Sequence, residues 1–259
     1  MTAARLKYLE TGAGQESRRI AVLSRAGKKP GIFWLGGFRS DMEGGKAEAL
    51  DRWAAGAGRA CTRFDYSGHG RSGGRFEDGT ISRWLDEAAA VFDAFAKGPQ
   101  IFVGSSIGGW IALLLAQRLR DGEKQARLAG LALIAPAVDM TEDLMWDSMT
   151  QPERRALRRK GFITRPSAYS DAPDIITRAL IEDGRRHLFG DRPIEAGCPV
   201  HVIQGMQDAD VPWRHATRLM ERLAFDDAVL TLVRDGDHRL SRPEDIERLT
   251  RAVEGLIAR

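Results

Sequence analysis

The stretch Gln100-Ile-Phe-Val-Gly-Ser-Ser-Ile-Gly-Gly-Trp110 decides how the rest of this chain is interpreted. A short apolar run leads into a Gly-x-Ser-x-Gly pentapeptide over Gly104–Gly108, and the strongly apolar segment Ile107–Gln117 follows it. A strand that turns sharply into a helix at such a pentapeptide exposes the serine at the tip of the turn. The sequence therefore predicts a strand, a tight turn at Ser106 and a helix.

The same pentapeptide pattern occurs a second time, over Gly70–Gly74, with Ser72 at its centre. A glycine-rich loop precedes Ser72, and Gly-Arg-Phe-Glu-Asp-Gly follows, so both the strand and the helix are missing there. We interpret Ser72 as a loop serine and Ser106 as the candidate nucleophile. The alternative for Ser106 is a plain strand–turn–helix crossover in which small residues only permit close packing.

Length and composition favour one globular domain spanning residues 1–259. Hydrophobic residues make up 43% of the chain and charged residues 29%, which is ordinary for such a domain. The formal charge of +3 arises from interspersed signs and gives no indication of nucleic-acid binding. The expected partner is a small-molecule or acylated substrate, and the oligomeric state stays open.

The cysteines and the apolar runs indicate the cellular compartment of the protein. Cys61 and Cys198 lack the spacing of a zinc or redox motif, so we expect two free thiols in a reducing compartment. No apolar run reaches membrane-spanning length, and the N-terminus lacks the apolar core of a signal peptide. These observations predict a cytoplasmic protein.

Short β-rich runs alternate with runs of helical spacing, which is typical of βαβ units and a mostly parallel sheet. The predicted strands are Ile20–Ser24, Gly31–Leu35, Cys61–Tyr66, Ile101–Gly104, Leu128–Ile134, Val200–Gln204 and Val229–Val233. The predicted helices are Lys46–Gly56, Ile81–Lys97, Ile107–Arg120, Trp213–Ala224 and Pro243–Ala258.

Two regions depart from this alternation. Leu6–Glu10 and Arg18–Ser24 flank a Thr-Gly-Ala-Gly turn and are expected to pair as an antiparallel hairpin. Residues 138–197 are rich in Arg, Asp, Met and Pro and show no convincing strand. We interpret 138–197 as a helical lid inserted within the single domain.

The chain has five histidines that could act as the base for Ser106: His69, His187, His201, His215 and His238. Only His238 follows the last predicted strand in a polar loop, which lies at the carboxyl edge of the sheet, where such sites are built. Imidazole can accept and return a proton near neutral pH. His238 is therefore the candidate general base.

An acid that orients the imidazole should follow the preceding strand. Asp208 is preferred because its loop begins where the strand Val200–Gln204 ends, and because of the family resemblance given below. Asp210 is the alternative, and Asp139 is a more distant third.

Acyl chemistry also needs N–H donors for the developing oxyanion. One is expected from Ile107, the residue after the nucleophile, and the second from Phe38, with Arg39 as the alternative. The preceding pair Gly36-Gly37 could equally be a simple strand-ending turn.

With these pieces assigned, the chain resembles the α/β-hydrolase superfamily over nearly its full length. Asp65-Tyr-Ser-Gly-His-Gly-Arg-Ser72 matches the superfamily segment Asp-x-x-Gly-x-Gly-x-Ser. The resemblance implies the α/β-hydrolase fold, with a mostly parallel sheet of about eight strands flanked by helices.

A narrower likeness is to a mitochondrial family that contains a palmitoyl-protein thioesterase and acyl-glucuronide esterase. This likeness is carried by five segments: Phe64–Gly68, Gly98–Ile101, Val103–Trp110, Gln204–Trp213 and Asp237–Arg239. In that family the residues at the positions of Ser106, Asp208 and His238 form the catalytic triad. The departures are the absent transit peptide, the lid composition, and Gly36 where many relatives of the superfamily carry histidine.

The predicted function is therefore a serine hydrolase that cleaves carboxylic esters or thioesters through an acyl-enzyme on Ser106. The chemistry requires no metal or cofactor, and the histidine spacings suggest no metal site. The alternatives are a cofactor-free perhydrolase or C–C bond hydrolase on the same triad, or a non-catalytic binding protein.

Two features of the predicted lid bear on the substrate. Met140, Leu144–Trp146 and Met149 could line an acyl-chain pocket or pack the lid onto the core. The basic run Arg154–Lys160 could attract an anionic leaving group or form a solvated helix face.

Overall fold

The structure, a computed structural model, describes residues 3–120, 124–167, 172–223 and 225–259. Eight strands form one sheet in the order β1-β2-β4-β3-β5-β6-β9-β10, and β7 pairs with β8 apart from it. The strands are β1 (Arg5–Thr11), β2 (Arg18–Arg25), β3 (Lys28–Leu35), β4 (Arg59–Phe64), β5 (Gln100–Ser105), β6 (Leu128–Ile134), β7 (Phe162–Arg165), β8 (Asp174–Thr177), β9 (Val200–Gly205) and β10 (Ala228–Val233).

The sheet is antiparallel at one end and parallel over the rest. β2 pairs antiparallel with β1 and β4, whereas the six strands β4, β3, β5, β6, β9 and β10 are parallel to one another. The carboxyl ends of the parallel strands therefore meet at one edge, where open α/β sheets bind ligands. This arrangement confirms the predicted α/β-hydrolase fold, including the N-terminal hairpin.

Helices cover both faces of the sheet. They are α1 (Gly45–Gly56), α2 (Ile81–Phe95), α3 (Ile107–Arg120), α4 (Gln151–Lys160), α5 (Arg178–Gly184), α6 (Trp213–Arg222) and α7 (Pro243–Ile257). Apolar residues of α2, α3 and α6 pack on one face, and those of α1 and α7 on the other.

Strand β3 shows why both faces must be covered. Phe33 and Leu35 enter the core beneath α2 and α3, while Ile32 and Trp34 enter the core beneath α1 and α7. All four side chains are buried, and each contributes about 1.5–3 kcal/mol through removal from water. The near-continuous apolar run in the sequence reflects this two-sided burial.

The predicted elements of the main sheet and its helices are present with small shifts at their ends. α6 ends at Arg222, and Ala224, the predicted last residue of that helix, lies outside the described residues. No helix within the described ranges combines the length and apolar character needed to cross a bilayer.

The prediction that 138–197 contains no strand is wrong. β7 and β8 form an antiparallel hairpin in which Ile163 faces Ile176. Each strand has only four residues, too few for the alternation to stand out, and the burial of both isoleucines against Leu157 stabilises the pair. The segment also contains α4, α5, a π-helical turn at Thr141–Trp146, a 3-10 turn at Arg185–His187 and irregular loops. Its residues 168–171 are not among the described residues.

Candidate active site

The turn between β5 and α3 holds Ser106 in a left-handed conformation, with φ of 55°. A serine in this region costs about 1–3 kcal/mol, so the surroundings must hold it there. Ser106 N donates to Ile134 O at 2.9 Å, and Ser106 O accepts from Gly109 N at 2.9 Å and Ala137 N at 3.0 Å. These bonds fasten the turn to the end of β6.

Two glycines of the pentapeptide are required by close packing. A Cβ on Gly104 would lie 2.5 Å from the Gly108 carbonyl oxygen. A Cβ on Gly108 would collide with the carbonyl oxygens of Leu35 and Gly36 at the end of β3. The start of α3 therefore fits against β5 and β3 only because both positions lack a side chain.

The loop after β3 runs beside Ser106, since a Cβ on Gly37 would lie 3.4 Å from Ser106 Cβ. Gly37 N donates to Ser40 Oγ at 2.8 Å, and Arg39 N donates to His69 Nε2 at 3.2 Å. Among the described residues, no acceptor is found for the N–H of Phe38. Of the two candidates Phe38 and Arg39, Phe38 is the one whose N–H has no acceptor among the described residues.

The second predicted donor, Ile107, is the first residue of α3. Its N–H likewise has no hydrogen-bond acceptor within the described part of the chain, as is usual in the first turn of a helix. Helix N-termini also favour negative charge. The N–H groups of the predicted donors Phe38 and Ile107 are thus both without an acceptor among the described residues.

His238 and Asp208 lie in contact, with Nδ1 of the imidazole 2.8 Å from Oδ2 of the carboxylate. Both follow parallel strands, β10 and β9, and so lie at the same sheet edge as Ser106. The Ser106 hydroxyl itself forms no hydrogen bond with a described residue. Catalytic hydrogen bonds of this kind are often long before substrate binds.

The Asp208 carboxylate is fully buried and accepts four hydrogen bonds. Oδ1 accepts from the backbone N–H groups of Asp210 at 2.9 Å and Val211 at 2.8 Å. Oδ2 accepts from Gln204 Nε2 at 3.0 Å, in addition to His238. A buried carboxylate is tolerated when its oxygens are satisfied in this way.

The two alternative acids have other surroundings. Asp210 is exposed on the loop beyond Asp208. Asp139 is buried, but it accepts from Phe189 N at 2.8 Å and Gly190 N at 2.9 Å. Of the three candidates, Asp208 is the one whose carboxylate is hydrogen-bonded to His238.

The other four histidines have partners outside this contact. Hydrogen bonds join His69 to Arg39 N, His187 to Ser82 Oγ at 2.6 Å, His201 to Thr231 Oγ1 at 2.9 Å and His215 to Val138 O at 2.7 Å. Burial lowers the pKa of each of these four imidazoles.

Asp208, Asp210 and His238 also bring potential metal-ligand atoms within 4.8 Å of one another. Both Asp208 oxygens already accept two hydrogen bonds each, which uses the lone-pair capacity of a carboxylate. The arrangement is therefore better suited to orienting an imidazole than to binding a cation.

The sequence did not point to two residues that contact the candidate acid and the loop of the candidate base. Gln204 is fully buried beside Asp208, and its position as a polar residue at the end of an apolar strand was the available signal. Lys46, on α1, donates from Nζ to the backbone oxygen of Arg239, next to His238. Burial lowers the pKa of Lys46 to about 8. No local pattern indicates that contact, because it joins residues 193 positions apart.

The segment Asp65–Ser72 forms a tight turn that is hydrogen-bonded to its neighbours. Ser72 Oγ donates to Asp65 O at 2.7 Å and accepts from Ala21 N at 2.8 Å. Asp65 Oδ1 accepts from Met42 N at 2.6 Å, and burial raises the pKa of this carboxyl. The bonds of Ser72 are those of a structural loop serine.

The apolar residues of 138–197 are mostly engaged in packing. Met140 belongs to the main core, and Met149 is buried in a small cluster with Trp146 and residues of α4, α5, β7 and β8. The guanidinium groups of Arg154 and Arg158 lie 4.7 Å and 5.8 Å from the Trp146 ring centre. Part of the basic run is thus held on an aromatic ring, while Arg155, Arg159 and Lys160 are exposed.

Comparison with known proteins finds similar sequences and similar structures. A protein from Homo sapiens named palmitoyl-protein thioesterase ABHD10, mitochondrial, is 34% identical over 239 residues, which are 92% of this chain and 76% of that protein. A crystal structure of a hydrolase from Agrobacterium vitis S4 superposes with a TM-score of 0.96 at 50% identity, covering 99% of this chain and 100% of that one.

Alpha/beta hydrolase domain-containing protein 10 from mouse superposes with a TM-score of 0.87 at 32% identity and covers 98% of this chain and 99% of that one. The predicted likeness to the mitochondrial thioesterase family is thereby confirmed. A sequence profile described as the alpha/beta hydrolase family matches residues 31–249. This chain belongs to the alpha/beta hydrolase family.

Proposed function

We propose that this hydrolase cleaves carboxylic esters or thioesters through an acyl-enzyme on Ser106. The observation that carries the proposal is the buried hydrogen bond between Asp208 and His238, at the same sheet edge as the strained serine turn. The names of the thioesterase relatives support ester or thioester bonds as the substrate class.

In the first half of the reaction, His238 takes the proton of the Ser106 hydroxyl while the oxygen attacks the acyl carbonyl. The resulting imidazolium is stabilised by the Asp208 carboxylate through the Nδ1 hydrogen bond. His238 then returns the proton to the leaving alcohol or thiol, and the acyl group stays on Ser106. Water, activated by the same imidazole, releases the acid and restores the serine.

The tetrahedral intermediate carries a negative oxygen that needs donors. The N–H groups of Phe38 and Ile107 serve this role in our proposal, because they are unengaged among the described residues and flank the serine. One donor of this kind typically contributes ~3 kcal/mol to the transition state.

The segment 138–197 serves in this proposal as a lid within a single domain. A contact between the loop after β3 and β8 supports it: the Arg39 guanidinium lies 3.1 Å from Asp174 Oδ1 and also bonds Pro173 O. The exposed side of α4, with Arg155, Arg159 and Lys160, is available to an anionic leaving group. The cytoplasmic location and the absence of nucleic-acid partners stay predictions.

The test is turnover of a p-nitrophenyl acyl ester by the wild-type protein and Ser106→Ala. We expect the variant to lose more than 10³-fold in kcat while its melting temperature stays close to that of the wild type. Full activity in the variant would contradict the proposal. A perhydrolase would instead show peroxyacid formation in hydrogen peroxide that exceeds hydrolysis, and a binding protein would turn over no ester at all.

A further inference from the structure

His69 lies behind the loop that carries the Phe38 N–H. Its side chain is buried, with 5% of the residue exposed. Nδ1 lies 3.1 Å from Ser67 O, and Nε2 lies 3.2 Å from Arg39 N. The rings of Tyr66, Phe76 and Trp84 enclose the imidazole, with centre-to-centre distances of 5.9, 5.2 and 5.4 Å.

These two partners fix the protonation state of the ring. A carbonyl oxygen can only accept, so Nδ1 carries the proton, and a backbone N–H can only donate, so Nε2 is the bare acceptor. Burial lowers the pKa of His69, and the charge of Arg39 acts in the same direction. The imidazole therefore stays neutral at neutral pH, and its Nε2 continues to accept the hydrogen bond from Arg39 N.

The Arg39 N–H belongs to the peptide unit that follows Phe38. Binding it limits rotation about the Phe38 backbone, and Arg39 itself has a φ of 56°, a left-handed value that a free loop rarely keeps. The far end of the same loop is held by a hydrogen bond from Met42 N to Asp65 Oδ1. On that side of Phe38, the bond from Arg39 N to His69 is thus the nearest hydrogen bond that joins the loop backbone to another part of the fold.

Ser67, whose carbonyl oxygen accepts from His69 Nδ1, is itself held by hydrogen bonds. Ser67 N donates to Glu87 Oε2 at 2.9 Å, and Glu87 Oε1 accepts from Arg18 Nε at 2.6 Å. Glu87 lies fully buried on α2. A connected set of hydrogen bonds therefore runs from α2 through Ser67 and His69 to Arg39.

We propose that His69 is a positioning residue that holds the Phe38 N–H in place for the oxyanion. The inference rests on the proposed function, because it assigns the loop a role in that reaction. His69 touches no reacting atom in this scheme, and it acts through the peptide unit between Phe38 and Arg39.

The experiment compares His69→Phe, which keeps an aromatic ring without an acceptor, with His69→Gln, whose amide oxygen can replace Nε2. Rates on a p-nitrophenyl ester are expressed per active serine, titrated with a fluorophosphonate, so that misfolded protein does not count. We expect His69→Phe to lose about 10- to 100-fold in kcat with KM within about twofold of wild type. His69→Gln should recover most of that loss.

A trifluoromethyl ketone forms a tetrahedral adduct with serine. Its inhibition constant would not change if His69 served only the stability of the fold. Its inhibition constant should rise in His69→Phe by the same factor as kcat/KM falls. His201→Phe, at a half-buried histidine bonded to Thr231 across β9 and β10, is the matched control and should stay within about twofold of wild type.

Unchanged kcat and inhibitor affinity in His69→Phe would overturn the inference, as would equal losses in the Phe and Gln variants. If His69→Phe does not fold, His69→Leu replaces it under the same criteria. A failure of the proposed function itself is recognised separately, because Ser106→Ala would then keep its activity.

Discussion

His238 and Asp208 are 30 residues apart in sequence, yet Nδ1 of the one lies 2.8 Å from Oδ2 of the other. The loops that carry them leave adjacent parallel strands, β10 and β9, at the same end. A Cβ on Gly205 would lie 2.6 Å from Asp237 O, so the glycine at the end of β9 allows the His238 loop to pass closely. The contact between His238 and Asp208 therefore results from the position of their two loops, side by side at the carboxyl edge of the sheet.

Replacing Asp208 by Asn should lower kcat by about 10³- to 10⁴-fold. The amide would offer Nδ1 of His238 a donor in place of an acceptor, and so favour the wrong imidazole tautomer. Steady-state kinetics on a p-nitrophenyl ester measure the loss. Asp210→Asn, the matched control on the same loop, should change kcat by less than about threefold, and an equal loss in both variants would contradict the assignment of Asp208.

Gln204→Leu should reduce both stability and activity. The amide donates to Asp208 Oδ2 at 3.0 Å and to Val211 O at 3.0 Å, and its removal leaves a buried carboxylate less well satisfied. We expect a loss of about 1–3 kcal/mol in the free energy of unfolding, measured by urea denaturation. A variant as stable as the wild type would show that the buried amide is not needed.

Lys46→Met should slow catalysis without abolishing it. The ammonium holds the Arg239 carbonyl next to His238, so its loss loosens the loop of the base. We expect kcat to fall by roughly three- to tenfold, since one hydrogen bond to a charged group is removed. Lys29→Met, on β3, is the control. An undiminished kcat in Lys46→Met would show that Lys46 does not contribute to catalysis.

The buried imidazole of His69 should make the protein less stable in acid. Its folded-state pKa lies below the ordinary value of about 6.5. As pH falls below that value, the unfolded chain binds a proton that the folded chain does not, so stability is lost by up to about 1.4 kcal/mol per pH unit.

Thermal denaturation of the wild type and His69→Gln between pH 8 and pH 5 measures this effect. The stability advantage of the wild type should be constant above about pH 7 and should shrink as the pH falls below about 6.5. An advantage that is independent of pH over this range would show that His69 does not resist protonation.

The sequence was most informative where the relevant contacts are local. The serine turn follows from one continuous stretch, because β5, Ser106 and α3 are consecutive. The proximity of Asp208 and His238 could be expected because each lies in the loop after a parallel strand, and the carboxyl ends of parallel strands share an edge. The choice of Asp208 over Asp210, on the same loop, depended also on the family resemblance.

What the sequence did not reveal depends on contacts between distant segments. The β7–β8 hairpin is stabilised by Leu157 from another element, and its four-residue strands are too short for a clear pattern. His69 was considered only as a possible base, because its bond to Arg39 spans 30 positions. Contacts of this kind become visible only when the loops are placed in space.

The most direct test of the central claim is the site of covalent labelling by a fluorophosphonate, located by mass spectrometry of proteolytic peptides. Ser105 and Ser72 serve as internal controls, since one neighbours the candidate nucleophile and the other lies in the second pentapeptide. We predict one adduct, on Ser106, which is absent in Ser106→Ala and present in Ser72→Ala. An adduct on any other residue, or equal labelling of Ser106→Ala and the wild type, would contradict the account.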